Sequence, residues 1–224
     1  MKLAGPAFLA LLLTFISCKK SSSDSAPAPV EPFMSLTAGN SRTYETVNNL
    51  TTVITTNTQL STNRDSSING KSYHVFTNSN GSPNEYFNVS GSDYYTFRNL
   101  TPLGTSSTVE HIYLKDNMSV GQSWSQTITI APFSGVPTTV PLTITNTITE
   151  KGISRTVNGK TYNNVIHITT LLSSSSLPAG SLTTDIHTYY APKYGMIESR
   201  NKITITLVTG NNVDQNTTLK TANF

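Results

Sequence analysis

The chain has 224 residues, of which only 12% are charged, with a formal net charge of +3 and a single cysteine. One cysteine excludes an internal disulfide and a thiolate-built metal cage. Basic residues are scattered apart from Lys19-Lys20, which excludes the basic patch that nucleic acid or another polyanion would need.

In chain order, Lys2 is followed by an apolar stretch from Ala7 to Ile16 broken only by Thr14. It is too short for a membrane-crossing helix, which needs about 20 residues, and has the make-up of a secretory signal peptide over residues 1–17. Phe15-Ile16-Ser17-Cys18 resembles the lipobox of bacterial lipoproteins, with a small residue before the cysteine and Phe15 where that family usually has Leu. The resemblance implies that Cys18 is alkylated with diacylglycerol, that the chain is cut just before it, and that the new amino group is acylated. Each buried methylene contributes about 0.8 kcal/mol, so a triacylated Cys18 holds a membrane durably where one acyl chain would not.

Residues 18–32 are rich in Ser, Ala and Pro, cannot bury enough apolar surface to order themselves, and read as a tether. Lys19 stands where lipoproteins kept at the inner membrane often carry Asp, so the resemblance implies the outer membrane. Lys19 to Asp24 lacks the run of acidic residues associated with surface export in Bacteroidetes-type bacteria, which leaves the periplasmic face as the expectation. Asp24-Ser25-Ala26 resembles the short O-glycosylation motif of the same bacteria, with Ser25 as acceptor.

Residues 33–224 are long enough for one domain with a real core. Thr, Ser and Asn abound, Gly and Pro recur between short apolar runs, and period-two alternation is frequent, the pattern of an all-β domain. Val140, Leu142, Ile144 and Ile148 alternate with threonines, and Ile203, Ile205 and Leu207 alternate with Lys202, Thr204 and Thr206. Strands with one buried and one wet face belong to antiparallel sheets.

The segment "SINGKSYHVF" at 67–76 returns as "TVNGKTYNNVIHI" at 156–168, each with an Asn-Gly pair suited to a type I′ hairpin turn. Gly39-Asn40-Ser41-Arg42 precedes the first copy and Gly121-Gln122-Ser123-Trp124 the second, while Tyr94-Tyr95 and Tyr189-Tyr190 follow them. Two related meanders, about 33–115 and 116–224, are the reading. Trp124, in phase with Gln126, Ile128 and Ile130, is expected to point into the core. Pro192 to Gly195 is expected to turn the chain between strands at 186–190 and 196–207. Each tyrosine pair puts one ring on each face of its strand.

The Gly-[Asn/Gln]-Ser-aromatic opening, the "NGKTYNNVIHI" hairpin and the closing "YYAPKYGMIES" together resemble a group of Bacteroidetes lipoproteins whose sheets are similar to the curved, half-open barrels of periplasmic lipoprotein carriers. The first half departs from the pattern at Arg42, where an aromatic is expected, and in "YYTFRNLTPLG", which lacks the Ala-Pro-x-x-Gly turn. The resemblance implies an antiparallel curved sheet or half-open barrel; a β-sandwich is the alternative. It brings no catalytic residue with it.

No Gly-x-Ser-x-Gly elbow, His-Glu-x-x-His or phosphate-binding loop occurs, so no catalytic residue and no cofactor is expected. Asp65 to Gly70 mimics the first half of a calcium loop, but its twelfth position is Phe76 and not the bidentate Glu, so no metal is expected there either. Asp185 and His187 fall on one strand face with Thr183 and Tyr189, a polar row that could hold a metal or an acid–base pair, though it specifies no third ligand or nucleophile, or be an ordinary strand face. Three functions remain open. The first is a non-enzymatic, lipid-anchored envelope protein whose sheet shelters an apolar ligand or a segment of another protein. The second is a glycan-binding or assembly accessory lipoprotein using exposed tyrosines. An enzyme, resting on the Asp185-His187 row alone, is the third.

Overall fold

The computed structural model describes residues 31–99, 108–130, 138–207 and 212–224. Cys18, Ser25 and the whole of the signal and tether segments before residue 31 lie outside the described residues. The first six strands are β1 (Ser41–Asn48), β2 (Ile54–Ile68), β3 (Lys71–Asn78), β4 (Glu85–Ser90), β5 (Asp93–Asn99) and β6 (Thr108–Lys115). The next six are β7 (Ser123–Ile130), β8 (Val140–Val157), β9 (Lys160–Ser173), β10 (Leu182–Ala191), β11 (Gly195–Ile205) and β12 (Val213–Asn223). No helix occurs among the described residues.

All twelve strands join one antiparallel sheet in the order β6-β5-β4-β3-β2-β1-β12-β11-β10-β9-β8-β7. The chain therefore runs as two meanders of six strands, joined where β1 pairs with β12. The sheet curls into a nearly closed barrel, so the sandwich alternative does not describe it. All of the strands and the three apolar clusters of the core fall within residues 31–224, a compact unit of its own.

Local chemistry accounts for this shape. Asn69-Gly70 and Asn158-Gly159 both sit at positive φ, as type I′ turns require, and make the β2/β3 and β8/β9 hairpins. On β8 the side chains of Leu142, Ile144, Asn146 and Ile148 turn inward, while Thr143, Thr145 and Thr147 face out and pair with Thr127, Ser125 and Ser123 of β7. On β11 the inward series ends at Ile205: Leu207, expected next in the series, lies past the strand and is 44% exposed. The register shifts at Tyr94/Tyr95 and at Tyr189/Tyr190, so both tyrosine pairs mark bulges that bend the wall. By strand count they are not equivalent, since one pair lies in the fifth strand of its meander and the other in the fourth.

One end of the barrel is sealed. There the turns are tight, and Pro32 to Ser35 crosses beside the 192–194 turn, with Lys193 N donating to Pro32 O at 2.7 Å and Ser35 N donating to Lys193 O at 3.3 Å. Phe33 and Met34 are buried among Phe76, Tyr94, Leu114, Ile148 and Ile166. Arg42 is 1% exposed in this floor. Its Nη2 donates to Ser35 O at 2.7 Å, and its guanidinium lies 5.3 Å from the Phe76 ring centre and 5.6 Å from that of Phe224. A cation thus occupies the place where the repeat calls for an aromatic, held by ring faces and a carbonyl while its buried Nε has no hydrogen-bond partner.

The two ends of the sheet, β6 and β7, face each other without a backbone ladder. Side chains close the gap: Trp124 Nε1 and Asn146 Nδ2 donate to Ile112 O at 2.9 and 3.3 Å, and Gln126 Nε2 donates to Glu110 O at 2.5 Å. Gln126 Oε1 in turn accepts from Ile112 N at 3.4 Å. Trp124 points inward as expected but is only half-buried, because it stands at this seam and not in the middle of a core.

Candidate functional site: the barrel cavity

Above the floor the barrel encloses a cavity of about 480 Å³, within the roughly 300–1,000 Å³ typical of small-molecule sites. Met34, Tyr44, Tyr113, Tyr190 and Met196 form its base, and the exposed Thr55 and Asn80 mark the opposite, open end. Alternation along each strand delivers one residue in two to this space, so the wall's character is set strand by strand. Strands β8 to β11 supply an apolar side: Leu142, Ile144, Ile168, Leu172, Ile186 and Ile203. Strands β1, β2 and β12 supply a polar side with Thr46, Asn57, Gln59, Gln215 and Thr217, extended by Glu85 of β4.

Most polar groups of the wall hold one another. Thr46 and Thr217 share a hydrogen bond of 2.9 Å, Gln59 Nε2 donates to Glu85 Oε1 at 2.9 Å, and Thr170 Oγ1 donates to Asn146 Oδ1 at 2.7 Å. Thr96 is different: it is 3% exposed, it lines the cavity, and its hydroxyl has no hydrogen-bond partner in the protein. Among the described side chains no lysine or arginine lines the cavity.

Tyr44 in the base and Tyr94 beneath it are structural donors. Burial pushes the Tyr44 phenol up to about 12 against the opposing pull of Arg42, and its hydroxyl donates to Met196 O at 3.1 Å. Burial likewise raises Tyr94, which donates to Asp116 Oδ2 at 2.8 Å and accepts from Phe33 N at 3.0 Å. None of the ten tyrosines is fully exposed. The outward ring of each pair is covered by a cation, Tyr95 by Lys71 at 3.5 Å and Tyr189 by Arg155 at 3.8 Å, which leaves no bare row of rings as a stacking platform.

The polar row lies on the outer face of the sheet, apart from the cavity, and is longer than the sequence indicated. Asp185 Oδ1 meets His187 Nε2 at 2.9 Å, and Asp185 Oδ2 accepts from Arg200 Nε at 2.9 Å. His187 Nδ1 meets His167 Nε2 at 2.9 Å, and His167 Nδ1 meets Glu150 Oε2 at 2.8 Å. Glu150, His167 and Arg200 join through cross-strand register, His187 being paired with Thr169 on one side and Arg200 on the other. Burial lowers the His167 pKa, with Glu150 pulling the other way, while the Arg200 hydrogen bond lowers Asp185. Tyr189 stacks on His167 with ring centres 4.1 Å apart. The row joins β8 to β11 and presents no nucleophile.

The other histidines have separate places. His74 bridges Ser61 Oγ and Asp65 Oδ1, each at 2.9 Å, which puts the first residue of the calcium-like stretch inside β2. His111 is buried in the cavity wall. What the sequence did not disclose is the cavity's polar side, since Thr46, Asn57 and Gln59 belong to no motif in it. Their convergence with Gln215 and Thr217 depends on β1 pairing with β12, a contact between the two ends of the domain.

No protein-family model matches the sequence, and no curated protein matches it. Among solved structures the fold is similar to that of a lipoprotein candidate from Parabacteroides distasonis, at 9% identity and a TM-score of 0.50, over 87% of this chain and 99% of that one. It is similar also to a candidate exported protein with a YmcC-like fold from Bacteroides fragilis, at 8% identity and a TM-score of 0.51, over 87% of this chain and all of that one. At such identities the likeness is one of fold: an all-β barrel architecture found in proteins of Bacteroidetes.

Proposed function

We propose that this chain is a lipid-anchored protein of the cell envelope that works by holding a ligand with a large apolar part inside its barrel, without turning it over. The observation that carries this reading is the cavity of about 480 Å³ with Leu142, Ile144, Leu172, Ile186 and Ile203 along one side. Apolar surface left facing a cavity gains about 25 cal/mol for each Å² it removes from water, so these side chains give the site a driving force. The anchor is Cys18 and the membrane the outer one, at its periplasmic face. Support for an envelope location comes from the signal-like segment before Cys18 and from the descriptions of the two structural neighbours.

The test is displacement of N-phenylnaphthylamine, a dye that brightens in apolar surroundings, from residues 31–224. Saturable binding is expected, and Ile186→Trp, which fills the cavity from β10, should abolish it while leaving the melting temperature within a few degrees. Undiminished dye binding by a folded Ile186→Trp chain would sink the reading.

A further inference from the structure

The sealed end of the barrel carries a surface of its own. There the β8/β9 and β10/β11 turns and Phe224 bring Lys160, Lys193 and Tyr194 together. Lys160 Nζ donates to the Tyr194 hydroxyl at 2.8 Å and lies 4.2 Å from the centre of that ring and 5.1 Å from that of Tyr162. Lys193 Nζ lies 5.2 Å from the centre of the Phe224 ring, which meets Tyr194 edge-on with centres 5.0 Å apart. A ring face orients an ammonium without neutralising it. Neither lysine has a carboxylate partner among the described residues. The acidic groups of β1 and β11 are taken, Glu45 by Lys220 and Glu198 by Arg155. Exposed Glu31 is a charge that stands against the two lysines.

The same end is where the tether joins. Pro32 O accepts from Lys193 N at 2.7 Å, so Glu31, to which the tether is bonded, stands beside this cluster. Fully extended, the chain from Cys18 to Glu31 reaches at most about 45 Å. With Cys18 held in a bilayer, the sealed end meets the headgroups at an effective concentration on the order of millimolar. Two lysines fall short of the patch that would hold a free protein to a polyanion, but a surface already tethered needs only a weak contact. Ammonium groups beside tyrosine and phenylalanine rings suit a bilayer interface, where tyrosine rings sit at headgroup level and each lysine near anionic lipid strengthens the contact about fivefold.

We infer that the sealed end docks, through Lys160 and Lys193 with Tyr194 and Phe224, on the anionic headgroups of the bilayer that holds the chain's own anchor. The open end, marked by Thr55 and Asn80, then points away from that bilayer. This rests on Cys18 as the anchor, and the test separates the two. Because Cys18 is the only cysteine, residues 18–224 can be coupled through its thiol to a maleimide lipid in preformed vesicles. Lysines are then acetylated in a short pulse with a water-soluble reagent and read site by site by mass spectrometry. Exposed Lys202, toward the open end of β11, is the internal reference. On phosphatidylcholine vesicles with about a quarter phosphatidylglycerol, labelling of Lys160 and Lys193 relative to Lys202 is expected to fall about fivefold or more against pure phosphatidylcholine, and to recover in high salt. Lys160→Gln, an exposed change, should remove most of the protection of Lys193. Equal labelling on the two kinds of vesicle would overturn the docking, and equally low labelling on both is what contact with a second copy would give. Protection of Lys202 instead would turn the open end to the bilayer and overturn it as well. Since the coupling is made chemically, none of these outcomes turns on native lipidation, which cell fractionation of the Cys18→Ser chain decides.

Discussion

Two glycines with nearly the same backbone show how context divides a residue's role. Gly159 has φ of 79° with open space where a Cβ would stand, whereas Gly195 has φ of 73° and an added Cβ would lie 3.1 Å from Met34 Sδ. Gly159→Val should therefore cost about 1–3 kcal/mol from backbone strain alone. Gly195→Ala should lower the melting temperature more than Gly159→Ala, because it adds a clash with the sealed floor to the same strain. Chemical denaturation of the single variants checks the order. The Asn-Gly turns were legible in the sequence because their signal is local. Arg42 was not, since a buried guanidinium held by Phe76 and Phe224 depends on residues brought from β3 and from the end of the chain.

At the scale of the strand, periodicity revealed which residues of β7, β8 and β11 turn inward but not which strands meet. Sequence alternation cannot tell a closed ladder from a gap, and Gln126 and Asn146 read as interruptions of an apolar face until their bonds to Glu110 O and Ile112 O are seen. Trp124→Ala should cost about 2 kcal/mol, below the roughly 3–5 kcal/mol of a fully buried tryptophan, with the loss divided between packing and the bond to Ile112 O. The outer row of β8 to β11 yields a pH dependence. Because His167 has its pKa lowered from 6.5 in the folded chain, the unfolded chain takes up its proton first as pH falls. Its contribution is full above pH 6.5 and is lost as the pH drops from there toward the folded midpoint. Asp185, lowered from 3.8, adds a second loss at more acid pH. Melting temperatures taken from pH 8 to 4 should fall below 6.5, and His167→Gln should flatten the first part of that fall. An NMR titration of the imidazole should place the His167 midpoint below 6.5.

For the whole molecule, curvature was implied by the family resemblance alone, whereas the all-β class and antiparallel pairing were readable from composition and alternation, because half-wet strands pair in that manner. The choice between sandwich and barrel was not, since it turns on β1 meeting β12 across nearly the full length of the domain. The anchor belongs to this scale as well. Cys18→Ser removes the thiol that would carry the lipid, so the chain should move from the membrane fraction to the soluble fraction on cell fractionation. Equal retention of the variant after a high-salt wash would refute the proposed anchor.

The seam between β6 and β7 carries a consequence for crowded conditions. Among the described residues each of these strands keeps a row of backbone donors and acceptors that no further strand takes up, and such a row is a template for pairing with another chain. If Trp124, Gln126 and Asn146 let go, β6 of one copy can complete its ladder on β7 of the next, a head-to-tail contact that leaves a fresh pair of edges at the ends and so grows into open rows instead of closing as a dimer. The seam side chains, of which Asn146 also lines the cavity, would thus also keep neighbouring copies apart wherever they meet often.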